Sequence, residues 1–166
     1  MPEALIFDRT ATDAARVRDL TQKILDGYAT AAEKTEWLTG QMKGAWNTTD
    51  LDRIESWTTY LRDLLAQHGY TAKIVTRQPS GWSETDIPRR SDIDRIRRNV
   101  DALQTGFVSL PDWREVIYDD LIDIDRANAL EWDLQRLYVW LQSMAEASYI
   151  KQAGTLFAVA GGVFNT

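Results

Sequence analysis

The chain reads as a mainly α-helical protein, a bundle of about four main helices with short β segments near the N- and C-termini. Three observations predict this. A loop-into-helix pattern occurs four times, at Thr12-Asp13-Ala14-Ala15-Arg16, Thr49-Asp50-Leu51-Asp52-Arg53, Ser91-Asp92-Ile93-Asp94-Arg95 and Ile122-Asp123-Ile124-Asp125-Arg126. Apolar residues then recur at alternating three- and four-residue steps, the period of a helix with one buried face. Glycine or proline interrupts the chain between these runs.

The shared start has a physical basis. A Ser or Thr at the N-cap accepts a hydrogen bond from a backbone N–H that the helix cannot satisfy itself. Acids in the first turn meet the positive end of the helix dipole. An Arg three residues after the first Asp can pair with it on the surface, an exposed pair worth about 0.2–0.5 kcal/mol. The expected start residues are therefore Thr12 and Asp13, then Thr49, Asp50, Asp52 and Arg53, then Ser91, Asp92, Asp94 and Arg95. The fourth copy has Ile122 where the hydroxyl would stand, so that helix is expected to begin near Asp119 or Asp120.

In order along the chain, Leu5-Ile6-Phe7 is a strand or an extended arm. The first helix is expected over 12–26, with Val17, Leu20, Ile24 and Leu25 inward and Gly27 ending it. Thr30-Ala31-Ala32-Glu33 fits a capping box and opens a short helix to Leu38, with Trp37 inward. Gly40 and Gly44 bracket a turn. The next helix carries Leu51, Ile54, Thr58, Leu61 and Leu65 and stops at Gly69. Residues 70–76 are β-prone, and 79–88 read as a loop anchored by Trp82. Ile93, Ile96, Val100, Leu103 and Phe107 form the face of the following helix, and Pro111 breaks the chain again. The last long helix is expected over 120–147. Ala127, Leu130, Leu134, Leu137, Leu141 and Met144 form a heptad seam that suits a bundle or a coiled coil. Residues 1–151 thus make a helical assembly domain. Residues 152–166 carry no charge and read as a β-prone interaction segment, a hairpin about Gly161-Gly162.

Composition narrows the function classes. With 166 residues the chain can bury a real core. It has no cysteine and one histidine, which excludes disulfides and thiolate sites and disfavours an imidazole metal centre. No nucleophile motif is present, so an enzyme is not expected. The net charge of −6 argues against nucleic acid. Residues 111–150 hold nine acids and three arginines, which predicts an acidic outer face. Neither a signal peptide nor a membrane-spanning stretch is apparent.

Several residues invite a sharper chemistry. An Asp-x-Asp pair such as Asp50/Asp52, Asp92/Asp94 or Asp123/Asp125 can ligate a divalent ion. These pairs lack the Gly and terminal Glu of a calcium loop, so a helix-start role is preferred and no metal or cofactor is expected. Seven tryptophans raise a sugar-stacking platform against ordinary packing. Trp37, Trp46, Trp57 and Trp82 are expected inside. Trp132 and Trp140 fall off the Leu seam and are candidates for contact with another subunit, together with Leu156, Phe157, Val159, Val163 and Phe164. His68 is expected at the surface of a helix end. Arg89, Arg90, Arg95, Arg97 and Arg98 form a basic cluster interleaved with acids, suited to docking on a neighbour's acidic face.

Stretches spread over the whole chain carry a resemblance. They are Leu5-Ile6-Phe7-Asp8-Arg9-Thr10 with Asp13, Gly44-Ala45-Trp46-Asn47 leading into Asp50 to Glu55, and Gly69-Tyr70. Trp82 with Asp86-Ile87-Pro88, Ser91-Asp92 through Asn99-Val100, Arg126 to Glu131 and Gly154 to Phe157 complete the set. In their order they resemble a family of phage and prophage tail or baseplate structural proteins of Gram-positive bacteria. That family usually has Tyr-Asn at Trp46-Asn47, Asn-Arg at Asp52-Arg53, and a Ser-Gly-Glu-like end where this chain runs on with an apolar tail. The resemblance implies a virion component made in the host cytoplasm, homo-oligomeric in the particle and in contact with other tail proteins. The alternative class is a carbohydrate- or host-surface-binding module using exposed tryptophans.

Overall fold

In a computed structural model the described residues form five α-helices. The structure describes residues 1–39, 42–77, 81–83, 85–115 and 123–161, with side chains as far as Ser148. The helices are α1 (Ala11–Leu25), α2 (Ala31–Leu38), α3 (Thr48–Gln67), α4 (Arg90–Phe107) and α5 (Ile124–Gly161).

The core is a three-helix packing of α3, α4 and α5. Leu51, Ile54, Trp57, Leu61 and Leu65 come from α3, Ile96, Val100 and Leu103 from α4, and Leu130, Leu134, Leu137 and Leu141 from α5. The three- and four-residue periodicity foretells these faces, and the seam of α5 is filled by its own chain. Ala72, Trp82 and Leu110 from the connections close the ends. The α1–α2 pair is a helical hairpin that packs mainly on itself. Its foot is set where Gly44 approaches the backbone of Asp13 and Ala14 so closely that a Cβ would overlap it. Leu20 is its buried residue, whereas Leu25 is 76% and Trp37 41% exposed, contrary to the inward placement expected of both. A two-helix layer can bury only one narrow stripe, and Trp37 settles at the edge with its indole N–H on the Thr21 hydroxyl, 3.3 Å away.

Three helix starts, those of α1, α3 and α4, lie two residues earlier than the hydroxyl pattern predicts. Thr10, not Thr12, caps α1, exchanging hydrogen bonds with Asp13. Asn47, not Thr49, caps α3. Its side-chain oxygen accepts from the N–H groups of Thr49 at 3.0 Å and Asp50 at 3.2 Å, and Asp50 accepts from the Asn47 N–H. Ser91 lies within the first turn of α4, where Asp92 accepts from the Arg89 N–H at 3.0 Å. In α5 the acid is itself the cap: Asp123 accepts from the Arg126 N–H and the helix opens at Ile124, later than the start expected near Asp119 or Asp120. In α1, α3 and α4 the first Asp is three residues beyond the cap and accepts from the cap's N–H, so the cap is found by counting back from the acid. The α2 box is as predicted, and the Thr30 N–H with Lys23 and the Thr30 hydroxyl holds the Glu33 carboxyl at about 2. Gly27 and Gly69 follow α1 and α3 with positive φ, the conformation that ends a helix at little steric cost.

No strand occurs among the described residues. The N-terminal arm and residues 70–76 are extended but unladdered. Each is clipped at one residue by a helical asparagine. Asn128 of α5 accepts from the Arg9 N–H at 3.1 Å and donates to the Arg9 carbonyl at 2.9 Å. Asn99 of α4 does the same to Val75, both at 2.8 Å. A carboxamide offers one donor and one acceptor side by side, as a neighbouring strand would. The C-terminal hairpin is also corrected, because α5 runs on through 152–161 as helix. Gly40, Pro79, Asp119, Asp120, Ile122, Val163 and Phe164 lie outside the described residues.

The capping geometry sets an order of effects. Asn47→Ala is expected to cost about 0.5–2 kcal/mol in urea denaturation. Thr49→Ala and Ser91→Ala should cost less, and the reverse order would return the caps to the hydroxyl residues.

Candidate functional site

Where the arm meets α3 and α5, four charged side chains are buried together. Asp50 and Arg53 come from the first turns of α3, Glu131 from α5 and Arg9 from the arm. Glu131 is 0% exposed. It accepts from Arg53 Nε and Nη2, both at 3.0 Å, from Arg9 Nη2 at 2.7 Å, and from the Ile6 backbone N–H at 2.6 Å. Asp50 accepts from Arg9 at 2.8 Å and from Arg53. Burial works against the Arg53 charge, but Glu131 and Asp50 outweigh it and hold its pKa above the ordinary arginine value. The Asp50–Arg53 pair is therefore not the exposed surface pair that the repeat predicts. It is half of a buried box of two cations and two anions.

The other start residues disperse. Asp52 points away from Asp50 and accepts from the Trp82 N–H at 2.9 Å, and burial raises its pKa. Arg95 does not pair with Asp92. It forks onto Glu55 of α3 at 2.7 and 3.0 Å, and Glu55 also accepts from the Trp82 indole at 2.9 Å. Arg16 reaches Glu36 of α2 at 2.7 Å. Only Asp50–Arg53 and Asp123–Arg126 keep the short-range pairing of the four copies. Asp50 and Asp52 face different partners, and among the described residues no group of three or more His, Cys, Asp or Glu is placed to hold a metal ion.

A cleft of about 840 Å³ is lined by Arg77, Trp82, Asp86, Arg89, Asp92 and Arg95. Most of its charges answer one another. Arg77 pairs with Asp86 at 3.0 Å and lies over the Trp82 ring at 4.1 Å, while Asp92 caps α4 and Arg95 is taken by Glu55. Trp82 is the loop anchor the sequence predicts. Chemically the cleft wall is a braced surface, with no nucleophile facing a base among the described residues.

Comparison with protein-family models, curated proteins and solved structures returns no match.

Among the tryptophans Trp37 sorts differently from expectation, as above. Trp132 is half-buried, with Phe7 edge-on at 5.5 Å and the Arg114 guanidinium 4.3 Å from its ring centre. It packs against its own chain. Trp140 is 41% exposed beside exposed Val139 on α5. Leu156, Phe157 and Val159 belong to the helical stretch of α5, beyond the described side chains. The acidic face is thinner than the sequence count suggests, because Glu131 and Asp133 are both buried. His68 is exposed at the end of α3. No described helix is long and apolar enough to cross a membrane.

Arg9 and Glu131 were absent from the sequence-derived set. Glu131 had a signal: it stands four residues after Ala127, on the flank of the inward seam. Glu131→Ala leaves two guanidinium groups buried with one carboxylate, an expected loss of about 3–5 kcal/mol by chemical denaturation. Replacing Arg9, Asp50, Arg53 and Glu131 together with apolar residues of similar volume should cost less than that single change. A single substitution cheaper than the fourfold one would show that the box is not a coupled unit.

Proposed function

We propose that the chain is a structural component of a phage or phage-like tail or baseplate, assembling with copies of itself and with other virion proteins. The reading rests first on the ordered resemblance along the chain. The observation that carries it furthest is the length of α5. Its 38 residues span about 57 Å at 1.5 Å per residue. The 20 residues of α3 span about 30 Å. No more than about half of α5 can lie alongside α3. A helix that outruns its bundle, and whose final 152–161 stretch is uncharged, is suited to packing against other chains. The braced body beneath it supports a scaffold role, since the arm, the loops and the helix starts are each tied down by buried or paired polar groups.

Packing weighs against the carbohydrate-binding alternative. Trp46, Trp57, Trp82, Trp113 and Trp132 are buried or half-buried, and Trp37 and Trp140 are exposed one on α2 and one on α5. A stacking platform needs neighbouring exposed rings.

Deletion of residues 155–166 tests the assembly reading. The expected result is an unchanged unfolding midpoint with loss of self-association and of incorporation into particles. Unfolding of the bundle would place the segment in the protein's own core, and unchanged incorporation would remove it as a contact. Glycan-array binding by a chain that never assembles would favour the sugar-reading alternative.

A further inference from the structure

The connection from α4 to α5 crosses a second buried charge that the assembly reading does not use. Asp133 of α5 is 1% exposed. It accepts a hydrogen bond from the backbone N–H of Arg114 at 2.9 Å. The same stretch is pinned at three further points. Leu110 is buried in the core, Asp112 pairs with Arg136 of α5 at 2.5 Å, and the Arg114 guanidinium sits over Trp132. A turn between Leu110 and Trp113 sets the path.

The surroundings of Asp133 are crowded with like charge. Asp101 of α4 and Asp112 of the connection both oppose its ionisation, and Glu115 opposes that of Asp101 in turn. The cations present are Arg114 on the connection, Arg97 facing Asp101 from α4, and Arg136, which is taken by Asp112. The Arg114 backbone N–H is the donor to Asp133, whereas Glu131 two residues earlier collects two guanidinium groups and a backbone N–H. Of these two buried carboxylates, on opposite sides of α5, one is thus provided for as an anion and the other is not.

We propose that residues 108–115 form a proton-operated strap, seated across α4 and α5 while Asp133 is neutral and lifted when Asp133 ionises. Ionisation in place puts an anion among carboxylates with little water. Lifting the strap admits water at the cost of a few local contacts, far less than global unfolding requires. Burial first, and then the neighbouring acids, against the Arg114 N–H and charge, push the Asp133 carboxyl up to about 7. The sign follows. The folded group holds its proton above the ordinary value of 3.8, so the seated state is favoured at acid pH and loses ground as pH rises from about 4 to about 7. Above that range the loss is complete and the slope vanishes.

The test is amide hydrogen exchange at Arg114 in the full-length chain, corrected for the intrinsic rate. Protection is expected to fall on the order of tenfold between pH 6 and pH 8, while core amides of α3 keep theirs. Asp133→Asn should abolish that dependence and leave Arg114 protected at pH 8. Asp101→Asn should move the midpoint to lower pH. Independently of any variant, the Asp133 carboxyl carbon should titrate near neutrality by NMR. Constant Arg114 protection from pH 6 to pH 8, an Asp133 carboxyl titrating near 4, or an unaltered pH dependence in Asp133→Asn would each overturn the proposal.

Discussion

The structure depends on one electrostatic constraint, the burial of Arg9, Asp50, Arg53 and Glu131 in a single box. Taking ions out of water costs several kcal/mol each, and mutual attraction offsets that only when every group finds its partners. Here each carboxylate receives two arginines, and Asp50 also receives the Asn47 N–H that starts α3. The box therefore cannot form in parts. It fixes where α3 begins, how α5 is rotated about its axis, and where the arm lies, from three segments more than 40 residues apart in sequence. Apolar contacts alone would fix the register of α3 against α5 less sharply. A planar guanidinium fork between two carboxylates fixes it by its geometry.

The two asparagine clips extend this logic to the chain's extended segments. Residues 70–76 and the arm have the composition of strands but no strand beside them. An extended backbone next to a helix would leave its N–H and carbonyl groups without partners. Asn99 and Asn128 supply both partners at one residue of each segment, Val75 and Arg9. Arg9 thus has its backbone clipped to one turn of α5 and its side chain locked to the adjacent residues of the box. The β-propensity of these segments was legible. Its usual consequence, pairing with another strand, was replaced by pairing with a side chain, which no local pattern announces.

What the sequence conveyed and what it hid divide along the same physical line. Helical periodicity marks the buried faces of α3, α4 and α5 because apolar burial is repetitive and local in its signature. The helix caps were displaced because Thr49 and Ser91 look like caps, while the decisive feature is the distance back from the first Asp, at Asn47 and Arg89. Charged residues on the seam's flanks were read as solvent-facing by type. Glu131 and Asp133 lie four residues after Ala127 and three after Leu130, so helical geometry already put them at the margin of the core. The hairpin expected about Gly161-Gly162 yielded to helix for a cooperative reason. Extending an existing helix costs little per residue, whereas a new hairpin must be nucleated and then find a surface.

Helix α5 carries both the fixed and the adjustable parts of the molecule. Its seam gives the core Leu130, Leu134, Leu137 and Leu141, Glu131 anchors the box, and Asn128 holds the arm. Asp133, half a turn further on, faces the α4–α5 connection with only a fraction of Glu131's counter-charge. Rotation of α5 is thus prevented by the box, and a change of charge at Asp133 has no rigid-body motion through which to relax. The remaining outlet is the 108–115 stretch, which is non-helical and held by side chains. A rigid box on one side of a helix and an under-compensated acid on the other are therefore one design: the first directs the strain of the second into the segment best able to yield.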